Sequence, residues 1–179
     1  MKNTNYPLLA VFIFSSTLTF AHAEKADSRK QSIVEADHVS INEIAQTRLL
    51  VGNVVLQRGT FQLNAGRAEI KDDLQGYTYS VFYADPTGPA KFRQKRDGGD
   101  IWDMGEAERI EYDDKTEVLK MFTNAKAFTM DKGVKTQSAQ APLMSYTART
   151  QIYVLDADVT ATGKNGGARP RIVIEPPKQ

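Results

Sequence analysis

The sequence predicts an all-β fold of short antiparallel strands with an apolar interior. Three features carry that expectation: period-two alternation of apolar residues, turn chemistry at frequent intervals, and a short repeated pattern. The stretch Leu49 to Ala65, LLVGNVVLQRGTFQLNA, shows the first two together. Leu49 and Val51 share one phase, and beyond Gly52-Asn53 the phase passes to Val54 and Leu56. After Arg58-Gly59, the apolar Phe61, Leu63 and Ala65 alternate with Gln62, Asn64 and Gly66. Such a period gives each strand one apolar and one wet face. Gly and Asn tolerate positive φ, so both breaks read as turns or bulges.

The chain begins with a signal-peptide pattern. Lys2 supplies positive charge, Leu8 to Phe20 is an apolar run too short to favour a membrane span, and Ala21-His22-Ala23 is a small-x-small cleavage signal. Cleavage there makes Glu24 the first mature residue. Ser and Thr interrupt the run, which disfavours an uncleaved anchor. With no cysteine, the chain has neither a lipoprotein acylation site nor a disulfide. The mature length suits one domain. Losing Lys2 leaves equal numbers of acidic and basic residues, which argues against nucleic-acid or membrane-surface binding driven by bulk charge. No second apolar span follows, so the mature protein is expected to be soluble.

Taken in order, Glu24 to Gln31 is polar with no apolar stripe and reads as a mobile leading segment. Ser32 to Ile41 reads as a strand pair or a bent strand, because Val34 and Ala36 lie on one phase and Val39 and Ile41 on the other. Asn42-Glu43 begins a turn. After Arg67 to Lys71 comes a turn at Asp72-Asp73. Gly76 to Ala84, GYTYSVFYA, has the aromatic and β-branched content of a pleated surface. Asp85-Pro86-Thr87-Gly88-Pro89 is a loop. Ala90 to Arg96 alternates, with Phe92 and Gln94 opposite Lys91, Arg93 and Lys95. Asp97-Gly98-Gly99 is a hairpin turn, after which Ile101 to Met104 returns with the only tryptophan, Trp102. In the Pro- and Gly-rich C-terminal tail, residues 164–179, Ile172 to Ile174 is a candidate edge strand and the rest is expected to be disordered. The expected organisation is a signal peptide over 1–23, a β domain over 24–163 and this tail.

The repeat is Ala-x-x-apolar-x-apolar/Tyr. It occurs at Ala36-Val39-Ile41, Ala65-Ala68-Ile70, Ala107-Ile110-Tyr112 and Ala141-Met144-Tyr146. In three copies a second mark falls 17 residues after the alanine, at Asn53-Val54, Asn124-Ala125 and Asp158-Val159. A unit this short cannot bury its own apolar face, so the copies must stack around a shared interior.

The repeat, the signal peptide and three local motifs resemble the OstA-like family of periplasmic lipopolysaccharide-transport proteins. The motifs are Val51-Gly52-Asn53-Val54 followed by Gln57-Arg58-Gly59-Thr60, then Ala90-Lys91-Phe92-Arg93-Gln94, then Gly105-Glu106-Ala107 leading to Ile110-Glu111-Tyr112. The similarity spans residues 32 to 160. The resemblance implies an elongated, V-shaped β-jellyroll whose two sheets enclose an apolar groove for the acyl chains of lipid A. It also implies periplasmic localisation, head-to-tail homo-oligomers, and contact with LptC at the inner membrane and LptD at the outer membrane. It requires no cofactor. The residues it places at the lipid are Val34, Ile41, Leu63, Phe92, Tyr112 and Phe122. Without the resemblance, their sequence pattern favours ordinary core packing.

The residues argue against catalysis. The single mature histidine, His38, excludes multi-histidine zinc sites, and neither G-x-S-x-G nor a P-loop is present. Asp72-Asp73 and Asp113-Asp114 could pair as carboxylates for glycoside hydrolysis, but each follows an apolar strand end, where turn duty is the usual role. Lys91, Arg93, Lys95 and Arg96 are either contacts for lipid phosphates or charges protecting an edge from aggregation. The alternative to a lipid carrier is a structural or adhesive β-solenoid without a lipid ligand.

Overall fold

The computed structural model describes residue 27, residues 30–96, 99–157 and 169–176. The expected signal peptide, the Asp97-Gly98 tip of the hairpin and residues 164–168 and 177–179 of the tail lie outside the described residues. In chain order the strands are β1 (Ile33–Glu35), β2 (His38–Asn42), β3 (Thr47–Arg58), β4 (Phe61–Asp72), β5 (Thr78–Tyr83), β6 (Ala90–Lys95), β7 (Ile101–Ala107), β8 (Arg109–Asp113), β9 (Val118–Asp131), β10 (Val134–Thr147), β11 (Ile152–Asp156) and β12 (Arg171–Ile174). All pair antiparallel in one continuous 12-stranded sheet.

The long strands β3, β4, β9 and β10 fold this sheet into two layers, because each pairs with different neighbours in its two halves. One layer runs β2, the first half of β3, the second half of β4, β5, β8, the first half of β9, the second half of β10, and β11. The other runs β1, the second half of β3, the first half of β4, β6, β7, the second half of β9, the first half of β10, and β12. The result is a folded-over jellyroll that is not a closed barrel. Along one side lie the corners where strands pass between layers. Along the other side lie the turns.

The sequence expects two short runs either side of Gly52-Asn53. The structure instead makes them one twelve-residue strand with a bulge, at which the β3–β4 register shifts between Val51 and Val54. Gly52 and Asn53 both have positive φ, 80° and 46°. The expected change of phase does not occur: Leu50, Val54 and Leu56 face inward on one phase, Leu49 and Val51 face outward with Val51 42% exposed, and the bulge turns the corner without ending the strand. The repeat marks Asn53-Val54 and Asn124-Ala125 are these corners, and Asp158-Val159 lies outside the described residues. Asn53 Nδ2 donates to Asp37 Oδ2 at 2.9 Å, and Asn124 Nδ2 donates to Glu108 Oε1 at 2.7 Å. The backbone repeats the match, with Asp37 N donating to Gly52 O and Glu108 N to Thr123 O. Each acidic residue directly follows a repeat alanine, Ala36 or Ala107. A Cβ on Gly52 would collide with the Asp37 carboxylate in a conformation that already disfavours side chains. Gly52→Ala is therefore expected to lower stability by about 1–3 kcal/mol, and a urea midpoint indistinguishable from wild type would contradict that account.

The sequence expects a mobile segment before β1, yet Asp27 is 8% exposed and docked on the β3–β4 turn. Its carboxylate accepts hydrogen bonds from the Thr60 backbone N–H at 2.8 Å, the Thr60 hydroxyl at 2.5 Å and Lys30 Nζ at 2.7 Å. Burial opposes the charge, but Lys30 and Thr60 outweigh it and hold the carboxyl below the ordinary 3.8. A depressed carboxyl contributes stability in full above its unfolded pKa and loses it as pH falls through the folded one. The anchor should thus hold near neutrality and loosen below pH 3.8. Asp27→Asn should flatten that acid limb, and a pH–stability curve that keeps the same slope would contradict it. Within the expected tail, β12 adds to β10 through Ile172 opposite Ala139 and Ile174 opposite Gln137.

Candidate functional site

The site is the space between the two layers. Alternation along each strand directs Leu50, Val54, Leu56, Phe61, Leu63, Ile70, Phe82, Phe92, Ile110, Leu119, Met121, Met144 and Tyr146 inward, and together they form one buried cluster. Contacts across the layers fill the middle. Phe61 meets Tyr112 with ring centroids 4.8 Å apart, and Phe92 meets Tyr146 at 5.5 Å. Gly105 is inward-facing and lies under Phe92, where a Cβ would collide with the Phe92 ring and Met121. Gly105→Val is expected to overpack this point by about 1–3 kcal/mol, to be read as a lower thermal midpoint.

Toward the two ends the same inner face is exposed. Residues directly opposite in an antiparallel pair share a face. Val34 lies opposite Leu56, Val39 opposite Leu50 and Ile41 opposite Arg48, so all three continue the interior surface. They are nevertheless 37%, 45% and 56% exposed. At the far end Tyr153 and Leu155 lie opposite the inward Tyr146 and Met144, and Ile172 and Ile174 continue the row on β12. The interior is therefore an apolar trough, filled in the middle and bare at both ends, flanked by outer strands β1 and β2 at one end and β11 and β12 at the other.

These placements sort the residues expected at the lipid. Leu63, Phe92 and Tyr112 are brought together in the filled middle, each no more than 2% exposed. Val34 and Ile41 line the open end. Phe122 is not inside. It follows the inward Met121, lies outside the trough and carries the Arg109 guanidinium 4.2 Å above its ring. The bulge at Thr123-Asn124, both with positive φ, restores the inward phase only at Ala125. Leu119 and Met121 before the bulge and Ala125 after it keep one inward phase, and Phe122 falls on the opposite one.

Sequence reasoning missed the polar groups inside. Arg58, Gln94 and Asp103 are 7%, 4% and 0% exposed. Arg58, at the end of β3, reaches from one layer to the other, pairing with Asp114 and donating to the Tyr112 hydroxyl. Burial opposes its charge, but Tyr112, Asp114 and Glu117 outweigh burial, and its pKa is raised. The Tyr112 phenol is also pushed up, chiefly by burial. Asp103 accepts two bonds from Arg96, both 2.7 Å, and one from Thr129 Oγ1 at 3.2 Å. Across the layers the Tyr146 hydroxyl lies 3.4 Å from both Gln94 Oε1 and Asp103 Oδ2. The available signal was a polar residue at an inward phase: Arg58 continues the alternation of Val54 and Leu56, and Asp103 precedes Gly105 and Ala107 on the same phase.

The basic residues divide likewise. Arg96 is committed to Asp103, whereas Arg93 lies on the outer face, stacked on Trp102 at 5.4 Å and donating to Gln62. The acidic pairs serve turns and ion pairs. Asp73 accepts from the backbone of Gln75 and Tyr77, Asp113 from that of Lys115 and Thr116, and Asp72 binds Arg48. Among the described residues no group of three or more His, Asp or Glu could hold a metal ion.

An open-sided β-jellyroll with an apolar interior and bare apolar ends is the architecture of a carrier for greasy cargo. The sequence profile of the LptA/(LptD N-terminal domain) lipopolysaccharide-transport proteins matches residues 33–135. The chain belongs to that family and is a lipopolysaccharide-transport protein. Its fold is similar to the crystal structure of LptH, the LptA-homologous periplasmic component of the lipopolysaccharide transport device of Pseudomonas aeruginosa. That match has a TM-score of 0.72 at 18% identity, over 84% of this chain and 99% of the other. No curated protein sequence matches.

Proposed function

We propose that the mature protein is a non-catalytic periplasmic bridge, freed of its signal peptide after Ala23, that shields the acyl chains of lipid A between the inner and outer membranes. The observation that carries this reading is the apolar interior running from Val34 and Ile41 at one end to Ile172 and Ile174 at the other. Burying one CH₂ of an acyl chain is worth about 0.8 kcal/mol, so a multi-chain lipid needs no polar anchor to bind. Leu63, Phe92 and Tyr112 line the middle of that path, and Val34 and Ile41 its mouth.

Outer strands at both ends favour extension by strand addition. Such edges invite aggregation unless a partner covers them. We assign the β1–β2 edge to LptC and the β11–β12 edge to LptD or to the next copy. In that arrangement the troughs of successive molecules join. A lipid-free β-solenoid would need no bare inner faces.

The test is a photo-crosslinking amino acid at Phe92 or Tyr112, with the outward Tyr83 as the control position. Lipopolysaccharide adducts are expected at the two inner positions. Adducts at Tyr83 but not inside would overturn the interior as the lipid path. Light scattering across a concentration series should show growing end-to-end oligomers, and a strict monomer at high concentration would count against the bridge.

A further inference from the structure

Corners and turns lie on opposite sides of the trough, and the buried polar groups are confined to the turn side. Arg58 ends β3 at the β3–β4 turn of one layer, and Asp114 opens the β8–β9 turn of the other. Gln94 and Asp103 lie near the β6–β7 hairpin, and Tyr146 near the β10–β11 turn of the facing layer. The corner side carries the bulges, with positive φ at Gly52, Asn53, Thr123 and Asn124. A line of bulges interrupts the ladder and lets strands bend. The molecule thus has a hinge along one side and two polar bridges across the other.

Resting on the reading of the interior as the acyl-chain path, we infer that Arg58 with Tyr112 and Asp114, and Tyr146 with Gln94 and Asp103, are two latches that hold the layers shut, and that cargo occupies the middle only when they part. The packing requires such a step. Leu63 and Tyr146 are fully buried, and Phe92 and Tyr112 nearly so, leaving an acyl chain no room between closed layers. The latches are also poised to open. Arg58 Nε and Ser80 Oγ are buried without a hydrogen-bond partner, and Ser80 lies opposite Tyr112 on the same inner face. Parting the layers would let water reach both, which offsets part of the free energy of breaking the latches. Arg58 is thereby a positioning residue for the two layers and need not touch lipid.

Loading is read as the rate at which lipopolysaccharide micelles yield adduct at a photo-crosslinker replacing Phe92 in the full mature chain. Arg58→Met and Asp114→Asn should each load about tenfold faster than wild type, the equivalent of one charge-assisted hydrogen bond. Tyr146→Phe should act in the same direction, and Arg58→Lys should restore most of the wild-type rate. Arg67→Met, on the outer face, is the control. The chain has no cysteine, so Arg58→Cys with Asp114→Cys can be bridged by a short bis-maleimide. Bridging should slow loading at least tenfold relative to the unbridged pair. Equal rates across all these proteins would overturn the latches.

A measurement without lipid separates this failure from failure of the lipid path. Spin labels at Gln57→Cys and Lys115→Cys, one on each layer, should report a longer and broader distance when Arg58→Met is added. An unchanged distribution would overturn the latches whatever the lipid result. A widened one with no adduct in any variant would support the latches and sink the lipid path.

Discussion

Asp103→Ala is expected to lower the unfolding free energy by about 3–5 kcal/mol, the cost of breaking a buried ion pair by removing one partner. Asp103 has no exposed surface, and Arg96 grips both its oxygens. Once the carboxylate is gone, the guanidinium faces the interior without its counter-charge, and Thr129 Oγ1 loses its acceptor. Arg96 keeps 30% of its side chain in solvent, which places the loss at the lower end of that range. Removing both partners should hurt less than removing Asp103 alone, because two apolar replacements leave no orphan charge. Urea unfolding followed by the fluorescence of Trp102, the only tryptophan, measures both variants. A loss under about 1 kcal/mol for Asp103→Ala would mean that solvent reaches the site freely.

Tyr146→Ala is expected to cost about 3–5 kcal/mol by leaving a cavity where a large aromatic side chain was fully buried. The ring lies 5.5 Å from Phe92 and 4.5 Å from Tyr153, so the substitution removes two aromatic pairings as well as buried area. Tyr146→Phe keeps the ring and deletes the hydroxyl, and should cost about 1 kcal/mol. For a chain of this size each kcal/mol moves the thermal midpoint by about 2–4 °C, so calorimetry should separate the alanine variant from the phenylalanine one by several degrees. Equal midpoints would assign the stabilisation to the hydroxyl and remove the ring from the core account.

Much of the fold was legible because it rests on local rules. Alternation placed Phe61 and Leu63 on one face and Gln62 and Asn64 on the other, as burial bears out. Gly52-Asn53 and Asn124 stood out as φ-tolerant residues at matching offsets, and they are corners. The repeat alanines stood out too, because a short side chain recurs at each bend. What stayed illegible is which phase of an all-apolar run faces inward. Phe122 lies outside because it sits next to the inward Met121, as Val51 sits next to the inward Leu50, and an apolar run with residues on both phases does not say which one is buried. The Asp27 anchor was equally hidden, since a polar segment gives no sign of the Thr60 turn it reaches across 33 positions.

The sequence by itself determined the all-β class, the stacking of short units around one apolar interior, and the family through its ordered motifs. These follow from side-chain polarity at period two and from the backbone freedom of Gly and Asn, both properties of neighbours along the chain. Only the tertiary structure decided that the middle of the trough is filled while its ends are bare, and that Arg58, Gln94 and Asp103 close one side. Arg58 meets Asp114 across 56 residues and Tyr146 meets Gln94 across 52. Whether a buried charge has a partner is set by what the opposite layer brings to it, and that is fixed only when the sheet folds over.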